Sequence, residues 1–65
     1  MKFTIEVVRA QEAGRHEILH HTTVDEINPK RARSRADQLL SAWRPRGATA
    51  ARVLNHRGEE VYTST

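Results

Sequence analysis

The amino-acid sequence begins with an alternation of apolar and polar side chains. In the segment KFTIEVV, one face carries Phe3, Ile5 and Val7, and the other carries Lys2, Thr4, Glu6 and Val8. Alternation at period two is typical of a strand with one buried face. The pattern therefore predicts a first strand here, followed by a turn or loop around Gly14, since glycine interrupts regular structure.

The next segment, from about Arg15 to Val24, ends in HHTTV, and its β-branched residues favour a strand. Gly14 argues against a long helix over AQEAGRHEIL, because glycine is a poor helix former. A regular strand would place two sets of residues on opposite faces: Ile18, His20, Thr22 and Val24 on one, and Leu19, His21 and Thr23 on the other. We predict a second strand over this segment.

The segment NPKRARSRADQLLSAWRPRG predicts one amphipathic helix. Asn28 is a favourable N-cap, and Pro29 falls at the first helical position, where its missing N–H costs nothing. The apolar residues follow a period of 3.6 and form one stripe: Ala32, Ala36, Leu39, Leu40 and Trp43. Ile27 precedes the cap and is placed to pack on Ala32 as a hydrophobic staple. The helix is expected to end before Pro45, which disfavours helical conformation at the preceding residue.

The last segment, TAARVLNHRGEEVYTS, predicts a β-hairpin. Its turn, NHRG, fits a type I turn with a bulge in which Gly58 adopts the left-handed conformation. The register that follows pairs Asn55 with Glu59, Val53 with Val61, and Arg52 with Tyr62. The valine pair is expected to point inward and the Arg52–Tyr62 pair outward.

The order β-β-α-β-β indicates an α+β fold, with residues 1–65 forming a single domain. We expect a mainly antiparallel four-stranded sheet with one amphipathic helix packed on one face. The predicted core consists of Phe3, Ile5, Val7, Ile18, Val24, Leu39, Leu40, Trp43, Val53 and Val61. Because one helix covers only one face of a sheet, the other face stays open. That open face is predicted to carry Val8, Leu19, His21, Arg52, Leu54 and Tyr62.

The order of elements, with the closing hairpin RVLNHRGEEVY after ADQLLSAW, resembles small bacterial proteins of unknown function that have a β-β-α-β-β plan. The resemblance covers most of the chain. It implies the fold, but it implies no activity and no site residues.

Composition narrows the class of protein further. The chain has 65 residues, of which 37% are hydrophobic and 29% are charged, as expected for a small globular domain. A core of this size rarely supplies more than about 3–5 kcal/mol. The chain has no cysteine, so neither a disulfide nor a thiolate metal site can add to it. Met1 runs directly into the alternating segment, and no apolar run has the length of a leader or of a membrane span. We expect a cytoplasmic protein with no membrane contact.

The basic residues of the predicted helix leave two interpretations open. The net charge of +3 permits a polyanionic partner without requiring one. The cations lie on both sides of the apolar stripe, where long side chains commonly cover the edges of a core. Three of them nevertheless lie near the helix N-terminus, where the dipole disfavours each positive charge by about 0.3–1 kcal/mol. An anion bound there would offset this cost. Nucleic-acid or anion contact is therefore the alternative, through Lys30, Arg31, Arg33 and Arg35.

Catalytic and metal sites have little support in the sequence. His16 and His20 have the spacing of zinc ligands on a helix, but on a strand they stand about 13 Å apart. The segment His16–His20, HEILH, has the letters of the HExxH zinc motif, but that motif holds its metal on a helix and this segment is predicted to be a strand; no GxSxG motif is present. We therefore expect no metal, no cofactor and no enzymatic activity. The leading hypothesis is a non-enzymatic association module that binds itself or another protein through the open face, since exposed apolar groups often mark interfaces.

Overall fold

A computed structural model describes residues 1–65, which form four strands and one α-helix in the predicted order. The elements are β1 (Lys2–Ala10), β2 (His16–Asp25), α1 (Pro29–Trp43), β3 (Ala50–Leu54) and β4 (Glu60–Ser64). All neighbouring strands are antiparallel, in the order β2-β1-β3-β4. The predicted α+β fold with a four-stranded sheet is confirmed. The helix packs mainly on β1, β3 and β4, which leaves the inner side of β2 partly uncovered.

The helix begins and ends where the local signals predict. The Asn28 side chain accepts a hydrogen bond from the backbone N–H of Arg31 at 3.0 Å, and Pro29 is the first helical residue. After α1 the chain makes a short 3₁₀ turn, Arg44–Arg46, and reverses at Gly47, whose φ of 101° is readily available only to glycine. The predicted apolar stripe faces the sheet: Ala32, Ala36 and Leu40 are buried, and Leu39 and Trp43 are partly buried.

Replacing Asn28 by alanine is expected to lower the free energy of unfolding by about 1 kcal/mol, because the Arg31 amide loses its acceptor. Asn28→Asp is the matched control, since aspartate caps helices as well as asparagine does. Urea denaturation monitored by circular dichroism measures both variants. Equal midpoints for the alanine and aspartate variants would show that the cap contributes nothing.

The core lies between α1 and the inner face of the sheet. It comprises Phe3, Ile5, Val7, Val24, Ala32, Ala36, Leu40, Ala48, Ala51 and Val53. Two residues predicted for the core are instead largely exposed, Ile18 at 50% and Val61 at 46%. The predicted staple is also wrong, because Ile27 is 78% exposed and therefore is not held against Ala32.

A β-bulge in β2 accounts for the position of Ile18. The register with β1 pairs Val7 with His20 and then Val8 with Ile18, so Leu19 is an extra residue. An extra residue moves the side chains beyond it to the other face of the sheet. Leu19 consequently packs against the core, while Ile18 faces away from it.

A second bulge, in β4, accounts for the position of Val61. The hairpin follows its predicted register through the turn, where Gly58 has a φ of 79° and Leu54 pairs with Glu60. The next pair is Val53 with Tyr62, so Val61 is the extra residue. Tyr62 therefore packs against the core in place of Val61, and Arg52 pairs with Thr63 instead of Tyr62.

Candidate functional site

The open face of the sheet carries a charged cluster. Arg52 forms an ion pair with Glu6 and has a second carboxylate, that of Glu60, at 4.0 Å. Four of the six residues predicted for this face lie on it by strand alternation: Val8, His21, Arg52 and Leu54. Val8 is already fully buried within the monomer. A partner at the centre of this face would have to remove water from the ion pairs, which is unfavourable unless every charge is matched again.

The other two residues predicted for the open face lie against the core instead, so their assignment to the open face is wrong. The Tyr62 hydroxyl donates a hydrogen bond to Asp37 of α1 at 3.1 Å, and the Arg33 guanidinium lies 5.7 Å from the centroid of the Tyr62 ring. Leu19 packs on the core cluster. In both cases the bulge reverses the side that strand alternation predicts.

The four basic residues predicted to contact an anion do not converge on one site. Arg35 Nε lies 3.6 Å from Glu26 Oε1, and Arg33 lies over Tyr62. The other two, Lys30 and Arg31, line a shallow pocket of about 380 Å³ together with Asn28 and Ser34.

The helix N-terminus offers this pocket few free amides. Pro29 has no N–H, and the N–H of Arg31 is already bonded to the Asn28 side chain. An anion would therefore depend on the side-chain charges of Lys30 and Arg31 more than on backbone donors.

Exposed apolar residues gather at one end of the domain. Three of the four large exposed hydrophobic residues are there: Met1, Ile27 and Val61. A cleft of about 450 Å³ opens beside Met1 and Val61 and is lined by Met1, Lys2, Phe3, Pro29, Asn55, His56 and Val61. We call this cleft, together with the adjacent Ile27, the end cleft.

The N-terminus is fixed beside the end cleft by three polar contacts. The Met1 ammonium group lies 3.0 Å from both Asp25 Oδ1 and the backbone oxygen of Glu26, and the Met1 oxygen accepts from the Glu26 N–H at 2.9 Å. Sequence reasoning missed this cleft because it assigned Ile27 to a staple and Val61 to the core. The available signal was a large apolar residue in a turn, immediately before the cap of the helix.

The outer edge of β2 has no strand beside it. Met1 and Glu26 exchange two backbone hydrogen bonds. In an antiparallel ladder, such hydrogen-bonded pairs alternate with pairs whose backbone N–H and C=O groups point away from the partner strand. The register with β1 is continuous from Asp25 to His20. It therefore directs the backbone groups of alternate β2 residues outward: His21, Thr23 and Asp25.

A groove of about 450 Å³ follows β2 on the inner side of the sheet. Its walls come from β2 and α1, and it is lined by His20, Thr22, Thr23, Val24, Asp25, Glu26, Arg35, Gln38 and Leu39. Beside the groove the His20 ring stacks on Trp43, with centroids 5.2 Å apart and planes inclined by 19°. Arg46 lies over the same indole, 5.2 Å from its centroid. These contacts tie β2 to the C-terminal end of the helix.

The His, Asp and Glu side chains form no group of three or more that is placed to hold a metal ion. α1 is too short and too polar to cross a membrane. Comparison of the chain with protein-family models, with curated proteins and with solved structures finds no match. Function is therefore inferred from the surfaces themselves.

Proposed function

We propose that this protein is a non-enzymatic association module that binds another polypeptide at the end cleft. The observation that supports it is the clustering of exposed apolar side chains there, since single exposed hydrophobic residues are ordinary but a contiguous group of them often marks an interface. Ile27 supports it further, because this large side chain is 78% exposed and contributes nothing to the core. A cytoplasmic location and the absence of enzymatic activity stay predictions.

The chemistry of the end cleft favours an apolar side chain of the partner. Phe3, Met1 and Val61 provide apolar walls, and Lys2 and His56 provide a polar rim. A cleft of this volume is at the small end of the range for ligand pockets, about 300–1,000 Å³, and accommodates one or two apolar side chains. Burial of such an anchor inside a polar rim is the usual arrangement at protein interfaces.

A photo-crosslinking experiment tests the proposal. A benzophenone amino acid replaces Val61 in one variant and Thr63, which is exposed on the same strand, in the other. Both variants are expressed in the native host and irradiated. We expect one discrete crosslinked polypeptide from position 61 and none from position 63.

Two charge substitutions show whether that crosslink depends on the end cleft. Ile27→Asp is expected to abolish it, because the new carboxylate would be dehydrated at the interface. Ile18→Asp introduces the same charge at an exposed isoleucine outside the cleft and is expected to preserve the crosslink. Equal capture from positions 61 and 63, no capture at all, or capture that survives Ile27→Asp would contradict the proposal.

Anion or nucleic-acid binding through Lys30 and Arg31 is the second candidate. It is supported by the shallow pocket that they share, and by the lack of an ion-pair partner for either residue. Amide NMR titration with mixed-sequence RNA and DNA is expected to shift residues 28–34 in low salt. Each phosphate contact should contribute a slope of about −0.7 to −0.9 to the plot of log affinity against log salt concentration.

Joint replacement of Lys30 and Arg31 by alanine should weaken this binding and reduce its salt dependence. Arg57→Ala, which removes an exposed cation from the β3–β4 turn, is the control. Shifts that are absent, or that do not respond to salt, would remove this candidate.

A further inference from the structure

We propose that a second copy of this chain pairs with the outer edge of β2. The two β2 strands would run antiparallel about a two-fold axis at Thr23, joining both sheets into one. This surface and its occupant are independent of the polypeptide proposed for the end cleft.

The first argument is that the β2 edge lacks the usual protection against pairing. Outer strands are commonly protected by charged residues, by proline or by short length. The stretch Ile18–Val24, ILHHTTV, contains no Asp, Glu, Lys, Arg, Pro or Gly and is rich in β-branched residues. The other outer strand, β4, has only 5 residues and begins with Glu60. The contrast indicates that the β2 edge is covered in the assembled protein.

The second argument comes from the outward backbone groups of β2. They belong to His21, Thr23 and Asp25, all beyond the bulge at Leu19, where the strand is regular. An axis at Thr23 places Thr23 opposite its own copy and His21 opposite Asp25 of the second copy. Each of these pairs can then exchange both backbone hydrogen bonds.

The regular stretch of β2 and the pairing of charges together select this register over its neighbours. With the axis at Thr23, an imidazole lies opposite a carboxylate on each side of the axis, and no like charges meet. An axis at His21 would instead bring the bulge at Leu19 into the paired segment, where the extra residue interrupts the exchange of backbone hydrogen bonds. An axis at Thr22 would place Asp25 opposite Ile18, an apolar side chain next to the bulge. The side chains of His21, Thr23 and Asp25 are all exposed in the monomer; Asp25 Oδ1 pairs with the Met1 ammonium group, and Oδ2 makes no hydrogen bond.

The symmetry of the proposed pair provides the test. Residue 23 meets its own copy, so Thr23→Asp or Thr23→Lys brings two like charges together on the axis. We expect the wild-type protein to sediment as a dimer, each variant alone as a monomer, and an equimolar mixture of the two variants as a dimer. A wild-type monomer at the highest soluble concentration, dimers of either single variant, or a mixture that stays monomeric would overturn the inference.

A cysteine variant tests the register directly, since the chain has no native cysteine. Facing residues of a hydrogen-bonded pair have Cα atoms about 5.5 Å apart, which is within the range of about 4.4–6.8 Å found for disulfides. Thr23→Cys is expected to oxidise rapidly to a disulfide-linked dimer at low protein concentration. Thr63→Cys, exposed on the other outer strand, is the control. Equal rates of oxidation for the two variants would contradict pairing at Thr23.

Discussion

Replacement of Ile5 by alanine is expected to leave most of the protein unfolded at 25 °C. Ile5 is fully buried, and its neighbours across the strands are Thr22 of β2 and Val53 of β3. Truncation of a buried isoleucine to alanine destabilises a protein by about 2–5 kcal/mol, because transfer free energy is lost and a cavity remains. The core of a domain of this size rarely supplies more than about 3–5 kcal/mol. The expected loss is therefore comparable to the whole stability.

Ile18→Ala is the matched control for this prediction. Ile18 is 50% exposed and lies outside the core cluster, so the same truncation should change stability by no more than about 0.5 kcal/mol. Far-ultraviolet circular dichroism and urea titration measure both variants. They should be compared at one low protein concentration, because self-association would add a concentration-dependent contribution to stability. Equal urea midpoints for Ile5→Ala and Ile18→Ala would contradict the assignment of Ile5 to the core.

Features of the fold that depend on local sequence were predictable. The start of α1 follows from the Asn28 cap and from Pro29, and its end follows from Pro45. The inward face of β1 follows from alternation, because β1 keeps a regular register with β3 along its paired length. In each case the residues that determine the structure lie within a few positions of one another. The order of elements and the sheet-plus-helix architecture could therefore be inferred from the pattern alone.

Features that depend on pairing between strands were not predictable. Both bulges are defined by where a partner strand skips a residue, and neither Leu19 nor Val61 is a glycine or any other residue that marks a bulge in sequence. One skipped residue reverses the side on which the later side chains lie. This reversal removed Leu19 and Tyr62 from the predicted association face and exposed Ile18.

The end cleft could not be predicted from the sequence for the same reason. The end cleft exists because Met1 bonds to Glu26, near the start of α1, and because Val61 turns outward at its bulge. Both features depend on contacts between residues that are not neighbours in the sequence. The positions of the predicted basic residues, by contrast, depend on local sequence, because the helical period places them on both flanks of α1. The structure adds the partners of two of them, Glu26 for Arg35 and Tyr62 for Arg33.

Because of the bulge in β4, truncation of two adjacent residues, Val61 and Tyr62, is expected to have very different effects on stability. Tyr62 packs on the core, donates a hydrogen bond to Asp37 and lies beneath Arg33, whereas Val61 is 46% exposed. Removal of a large, fully buried aromatic side chain lowers the free energy of unfolding by about 3–5 kcal/mol. Because the Tyr62 ring is only partly buried, we expect a loss of about 2 kcal/mol for Tyr62→Ala. Val61→Ala should change stability by less than about 0.5 kcal/mol.

A regular hairpin would give the opposite order, because it would place Val61 in the core and Tyr62 in solvent. The comparison of urea midpoints for the two variants therefore tests the bulge itself. Tyr62→Phe separates packing from hydrogen bonding, since it keeps the ring and removes only the bond to the exposed Asp37, which is worth about 1 kcal/mol or less. We expect the order of destabilisation Tyr62→Ala, then Tyr62→Phe, then Val61→Ala. A larger loss for Val61→Ala than for Tyr62→Ala would show that the strands pair without the extra residue, and it would remove Val61 from the end cleft.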